Sequence, residues 1–112
     1  MALINKASIL SADDFKYALV PCPEWGGETR VRGLSAYEQT IISKKVKAEQ
    51  ADDLAIVVAI MGCVDENGER IFSTEDKDVL KQKSYAVIDR IAKKILELSG
   101  GEATSIESAE KN

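Results

Sequence analysis

The chain has 112 residues, carries 19 acidic against 15 basic side chains for a formal net charge of -4, and contains no histidine. That length bounds a single domain, and 45% hydrophobic residues allow a core, though a small one. The acidic balance gives no bulk attraction to phosphate backbones, and the missing imidazole excludes Ser-His and Cys-His catalysis and leaves structural zinc without a ligand set.

Residues 1 to 14, MALINKASILSADD, read as a loose lead-in. They lack the basic start and long apolar stretch of a signal peptide, which points to a cytoplasmic protein. Phe15 to Val20 is rich in strand formers, and Pro21 and Pro23 end the run because neither ring can donate to a ladder. Gly26-Gly27 permits a turn with positive φ, and Glu28 to Leu34 then alternates polar with apolar. The simplest assignment is a β-hairpin within 15–33, with strands near 15–20 and 28–33. A lone hairpin is marginal in water, so it must pack on something or pair with another chain.

Ser35 and Glu38 have capping-box spacing and open a helix over about 36–49. Tyr37, Ile41, Ile42 and Val46 fall on its inward side, and Lys44, Lys45 and Lys47 on the outward one. That lysine run is the densest basic cluster in the chain and reads as a solvated helix face rather than a nucleic-acid site. Leu54 to Gly62 is ambiguous. Its β-branched content suits a buried strand that Asp65–Gly68 could turn into a second hairpin. The aspartates before it, its alanines and Gly62 at its end favour a buried helix within 36–62, with a turn at 65–68. The apolar core of this stretch, Leu54 to Met61, is far short of the ~20 residues a membrane span needs.

Ser73 caps a last helical region over 74–99, with Glu75 and Asp76 in its first turn. Val79, Leu80, Val87, Ile88, Ile91, Ile95 and Leu98 form its stripe. Lys81 to Ser84 interrupts that stripe, so one long helix or two joined pieces both fit. Gly100-Gly101 is a stop signal, and 102–112 is polar enough to be a disordered tail. The expected fold class is thus mainly α with a short N-terminal β-hairpin (α+β), as one small domain over 1–101 plus a flexible tail.

Chemistry is sparse. The acidic pairs Asp13-Asp14, Asp52-Asp53 and Glu75-Asp76 each abut a helix start or a polar loop, where acids serve as caps and solvated charge. Gly26-Gly27 lacks the spacing of a phosphate-binding loop. An EF-hand placed on Gly68 would need carboxylates where Cys63 and Thr74 stand, so calcium is excluded. Cys22 and Cys63 lie far apart in the chain; a disulfide between them stays open on sequence, and two buried thiols is the better reading. No catalytic residue, cofactor site or metal site is therefore expected. Trp25, the single tryptophan, has two readings. It folds back over the hairpin, or it belongs to a partner-binding surface that Arg30 and Arg32, on one strand face, would flank.

Taken in order, several segments resemble the tail assembly chaperones of long-tailed bacteriophages and their prophages. They are the N-terminal strand, the Pro23–Gly27 turn, Val31–Ser35 leading into a helix, Asp65–Asp76, and Ile88–Gly100. The likeness covers roughly residues 8 to 101. It implies a non-enzymatic protein that binds the tape measure protein, keeps it soluble and helps recruit the major tail protein. Such a protein acts in the cytoplasm of the infected or lysogenic host and is absent from the mature virion; pairing through helix faces or hairpin edges leaves a homo-oligomer open. No nucleic-acid or membrane partner is expected. The family often makes a longer product by ribosomal frameshifting. Glu110-Lys111-Asn112, if encoded GAA-AAA-AAC, would hold a slippery A-AAA-AAC heptamer, which reading the codons tests. The alternative is a small prophage-encoded regulatory or adaptor protein, antitoxin-like, whose gene neighbours would be a toxin or operator rather than tail genes.

Overall fold

A computed structural model describes residues 2–100. The tail expected over 102–112, and the boundary before it, lie outside those residues. Among the described residues are five α-helices and one three-stranded antiparallel sheet.

The lead-in is not featureless. Lys6–Ser11 forms a short helix, α1, whose N-cap Asn5 accepts the Ser8 backbone N–H at 2.9 Å. Ile4 before the cap and Ile9 after it have the spacing of a hydrophobic staple. No residue of α1 is buried, and Leu3, Ile4, Ile9 and Leu10 are all exposed.

The hairpin forms with its strands shifted from the expected positions. β1 (Tyr17–Cys22) pairs antiparallel with β2 (Gly27–Arg32), from Tyr17 opposite Arg32 to Cys22 opposite Gly27. Pro21 does not end β1. The Gly33 N–H donates to the Lys16 carbonyl at 3.1 Å, and alternation by twos from there leaves residue 21 at a non-bonded position. β1 is also an edge strand, where a missing N–H costs no ladder bond. Pro23 does end it, at the first position of a 3-10 turn (Pro23–Trp25) that Gly26 closes at φ 89.

Capping-box hydrogen bonds between Ser35 and Glu38 open α2 (Ala36–Lys47). Glu38 and Ile42 are its buried residues, while Tyr37, expected inward, is exposed. The acid one residue on is drawn inward by two arginines, and this rotates Tyr37 outward. The helix ends in a Schellman arrangement, with Gln50 N–H bonded to the Lys45 carbonyl and Glu49 N–H to the Val46 carbonyl. Glu49 takes the left-handed position at φ 58.

The ambiguous apolar segment is helical, as favoured. In α3 (Leu54–Gly62), Leu54, Val58 and every residue from Ala59 to Gly62 are buried. Strand structure follows it instead. Cys63–Val64 forms β3, which pairs with β2 at Val31 and Arg30, so the expected lone hairpin is a sheet ordered β1-β2-β3. The turn at 65–68 is present. The Asp65 carboxylate accepts the Asn67 and Glu69 N–H groups at 2.8 and 3.0 Å, Gly68 has φ 82, and Arg70 bridges back to Val64.

A capping box at Ser73 and Asp76 starts a 3-10 turn (Thr74–Asp76) that runs into α4 (Lys77–Leu80). After the interruption at 81–84 comes α5 (Tyr85–Leu98), so the last helical region is two pieces. Leu80 is the only residue of single-turn α4 that is buried; Val79, expected on the stripe, is exposed. Val87, Ile88, Ile91, Ile95 and Leu96 of α5 are buried. α5 lies against β1 and β2, α3 packs on α5, and α2 packs on α3. Val20, Cys22, Val31, Ile42, Val58 and Ile91 all belong to the core so formed. Two glycines permit close approach. A Cβ at Gly62 would sit 2.5 Å from the Ile95 side chain, and one at Gly33 would sit 2.7 Å from the Leu98 carbonyl oxygen.

Candidate partner-binding surface

Alternation along β1 and β2 sorts the hairpin into two faces. Val20, Cys22 and Val31 point into the core, which puts Tyr17, Leu19, Arg30 and Arg32 on the opposite side. There the Arg30 guanidinium lies 4.1 Å from the Tyr17 ring centre, and that of Arg32 lies 4.5 Å from the Phe15 ring centre. Both are cation–π contacts, the first across the two strands and the second to the residue two before β1. Leu19 is exposed beside them.

Each arginine is also anchored within the chain. Arg30 donates to the Asp65 carbonyl at 2.9 Å, fixing the turn after β3. Arg32 donates to the Gly33 carbonyl at 2.7 Å and to both Glu38 carboxylate oxygens at 2.9 and 3.1 Å. Arg70 donates to the same carboxylate, as does the Ser35 backbone N–H at 2.9 Å. Burial by itself would raise the Glu38 pKa, but the bonds from Arg32, the Ser35 backbone and Arg70 overcome it and hold the carboxyl at about 2.

Trp25 stands at the end of the hairpin, at the last position of the 3-10 turn, with 37% of its surface exposed. The turn is tied down by Arg90 of α5, which donates to the Pro21 carbonyl at 2.9 Å and to the two Glu24 oxygens at 3.0 and 2.8 Å. The bonds from Arg90 to its carboxylate, followed by one from its own backbone N–H, lower the Glu24 carboxyl to about 2. A further cross-element pair joins α2 to α4. Asp53, before α3, binds Lys45 at 3.2 Å and also binds Lys77. Burial raises the Asp53 pKa, and Lys77 and Lys45 more than reverse that, leaving it below the usual range.

Of the residues singled out from sequence, Arg30 and Arg32 lie side by side on the outer sheet face, and Trp25 lies at the turn beyond it. Glu24, Glu38, Arg70 and Arg90 were missed as functional candidates. An acid on a helix's inward face, with arginines at strand and turn positions on both sides, was the available signal for Glu38. Nothing in local spacing pointed from Arg90 to a turn 66 residues away.

Both cysteines are buried and unbridged. Burial, with Cys22 nearby, pushes the Cys63 thiol up to about 12, so it stays protonated. Among the described residues no group of three or more His, Cys, Asp or Glu side chains could hold a metal ion, and no helix is long and apolar enough to cross a membrane. A shallow cleft of about 120 Å³ opens at the α4–α5 break, over Ala55, Ile56, Leu80 and Ile88.

Neither a protein-family model nor a curated protein sequence matches the chain. Among solved structures it is similar to the bacteriophage HK97 tail assembly chaperone, with a TM-score of 0.62 and 22% sequence identity, over 82% of this chain and 90% of that one. The chain therefore has a tail-assembly-chaperone-like fold.

Proposed function

We propose that the protein is a phage tail assembly chaperone that binds the tape measure protein, keeps it soluble and helps recruit the major tail protein. The observation that carries this reading is the structural likeness to the HK97 chaperone over most of both chains. Its role is non-enzymatic, exercised as an oligomer in the host cytoplasm and ended before the virion is complete. A chaperone of a long amphipathic client needs outward apolar surface and no reactive centre. Such surface is present at Leu3, Ile4, Leu10, Leu19, Trp25 and Tyr37. Many weak contacts along one client would add through multivalency.

Trp25 is the anchor we assign to the client surface. We place Arg30 and Arg32 on the same client surface; they lie further along the hairpin, Arg32 at its far end opposite Tyr17, and hold the sheet face in shape. Co-expression with the tape measure protein of the same tail operon tests the reading, with client solubility and co-purification scored. A soluble complex that Trp25→Ala weakens is expected. Gly27→Val gives an independent check, because a side chain there enters open space within the fold. It should leave folding intact and weaken the complex. An insoluble client with nothing co-purifying would overturn the proposal in favour of a regulatory or adaptor role.

A further inference from the structure

The turn that carries Trp25 has little to fix it from within. Between the paired residues Cys22 and Gly27, its internal backbone bond is Gly26 N–H to the Pro23 carbonyl, at 3.1 Å. Restraint comes from a distant helix. The Arg90 guanidinium spans a backbone carbonyl at the turn's entrance and both carboxylate oxygens of Glu24, the residue before Trp25. The neighbouring Ile91 is fully buried, so the base of the arginine is held by the best-packed stretch of α5. A planar fork can grip these three acceptors at once, whereas an ammonium point charge cannot.

We propose that Arg90 is a positioning residue that locks the Pro23–Trp25 turn and thereby fixes how Trp25 is presented to its partner. The partner half of this inference rests on the proposed function above; the locking half does not. A pre-ordered anchor binds more tightly because the cost of immobilising it is already met in the free protein. The clamp is only partly shielded, with side-chain exposures of 38% for Arg90 and 43% for Glu24, so its contribution to global stability should be small.

Trp25 is the only tryptophan, so its fluorescence reports the turn without a label. Purified full-length Arg90→Gln and Arg90→Lys should show unchanged far-UV circular dichroism, higher acrylamide quenching and lower anisotropy. The exchange Glu24→Arg with Arg90→Glu should move both readings back toward wild type. Affinity for the tape measure protein should fall roughly two- to tenfold in the single variants and recover in the exchange. If Arg90→Gln is poorly folded, Glu24→Gln on the exposed turn breaks the same clamp.

Wild-type quenching and anisotropy in a well-folded Arg90→Gln or Glu24→Gln protein would overturn the locking role. Altered fluorescence with unchanged client affinity would overturn the presentation role and leave the lock standing. If the wild-type protein binds no client at all, the functional proposal fails, and the fluorescence result still decides the clamp.

Discussion

Replacing Glu38 by Gln tests the charge network that joins β2, α2 and the turn after β3. The carboxylate is 5% exposed and accepts hydrogen bonds from Arg32, Arg70 and the Ser35 backbone. Its folded pKa is about 2. Against ~4.3 for an unfolded glutamate, the gap of about two units is worth about 3 kcal/mol. The sign follows from the direction of the shift. The folded value is depressed, so the contribution is complete above about pH 5 and lost as pH falls toward 2. Urea unfolding should therefore show Glu38→Gln less stable than wild type by about 3 kcal/mol at pH 7, with Tm lower by about 13 °C. The difference should shrink below roughly 0.5 kcal/mol by pH 2, where wild-type Glu38 is itself half protonated. Glu24 also titrates near pH 2, but it is present in both proteins and cancels from the comparison. A gap of the same size at pH 7 and pH 2 would refute the reasoning and assign the loss to packing rather than charge.

Two further substitutions probe the backbone. Glu49 occupies the left-handed position of the α2 Schellman motif at φ 58, so Glu49→Gly should raise stability by about 0.5–1 kcal/mol in the same urea assay; a loss would show that the side chain has an unrecognised role. Gly62→Ala would place a Cβ 2.5 Å from the fully buried Ile95 side chain and should cost about 1–3 kcal/mol. A neutral result there would mean that α3 and α5 can separate without penalty.

Elements defined by repetition were legible in the sequence. The Ser35–Glu38 capping box opens α2, and the Val87–Ile91–Ile95 stripe is the buried face of α5. The helix at 54–62 was harder, because its β-branched residues suit a buried strand equally well. Its packing against both α2 and α5 needs apolar side chains nearly all round, and Gly62 is required where Ile95 crosses. Three features had no readable period. β3 is two residues whose pairing is set by where α3 delivers the chain. α1 depends on one side-chain cap and buries nothing. Tyr37 and Val79 were placed inward by spacing alone. In the structure a neighbouring charge takes the inward place in α2, and α4 is too short to bury a second residue.

The features missed share a physical cause. Helix periodicity reports which face is buried, but it carries no information about where a turn sits relative to a distant helix. In this chain that information is held by ion pairs between elements. Arg32 and Arg70 converge on Glu38, Lys45 and Lys77 on Asp53, and Arg90 on Glu24. The buried Glu38 network adds little stability over an apolar substitute yet is costly to break from one side, whereas the partly exposed Arg90–Glu24 pair costs little to break and acts on local position. The aliphatic core drives collapse, and the perimeter charges determine where the turns come to rest. The Trp25 turn is the clearest case. Its largest side chain keeps 37% of its surface exposed, and the Arg90 bonds to Pro21 and Glu24 are the long-range polar ties that the proposed lock rests on.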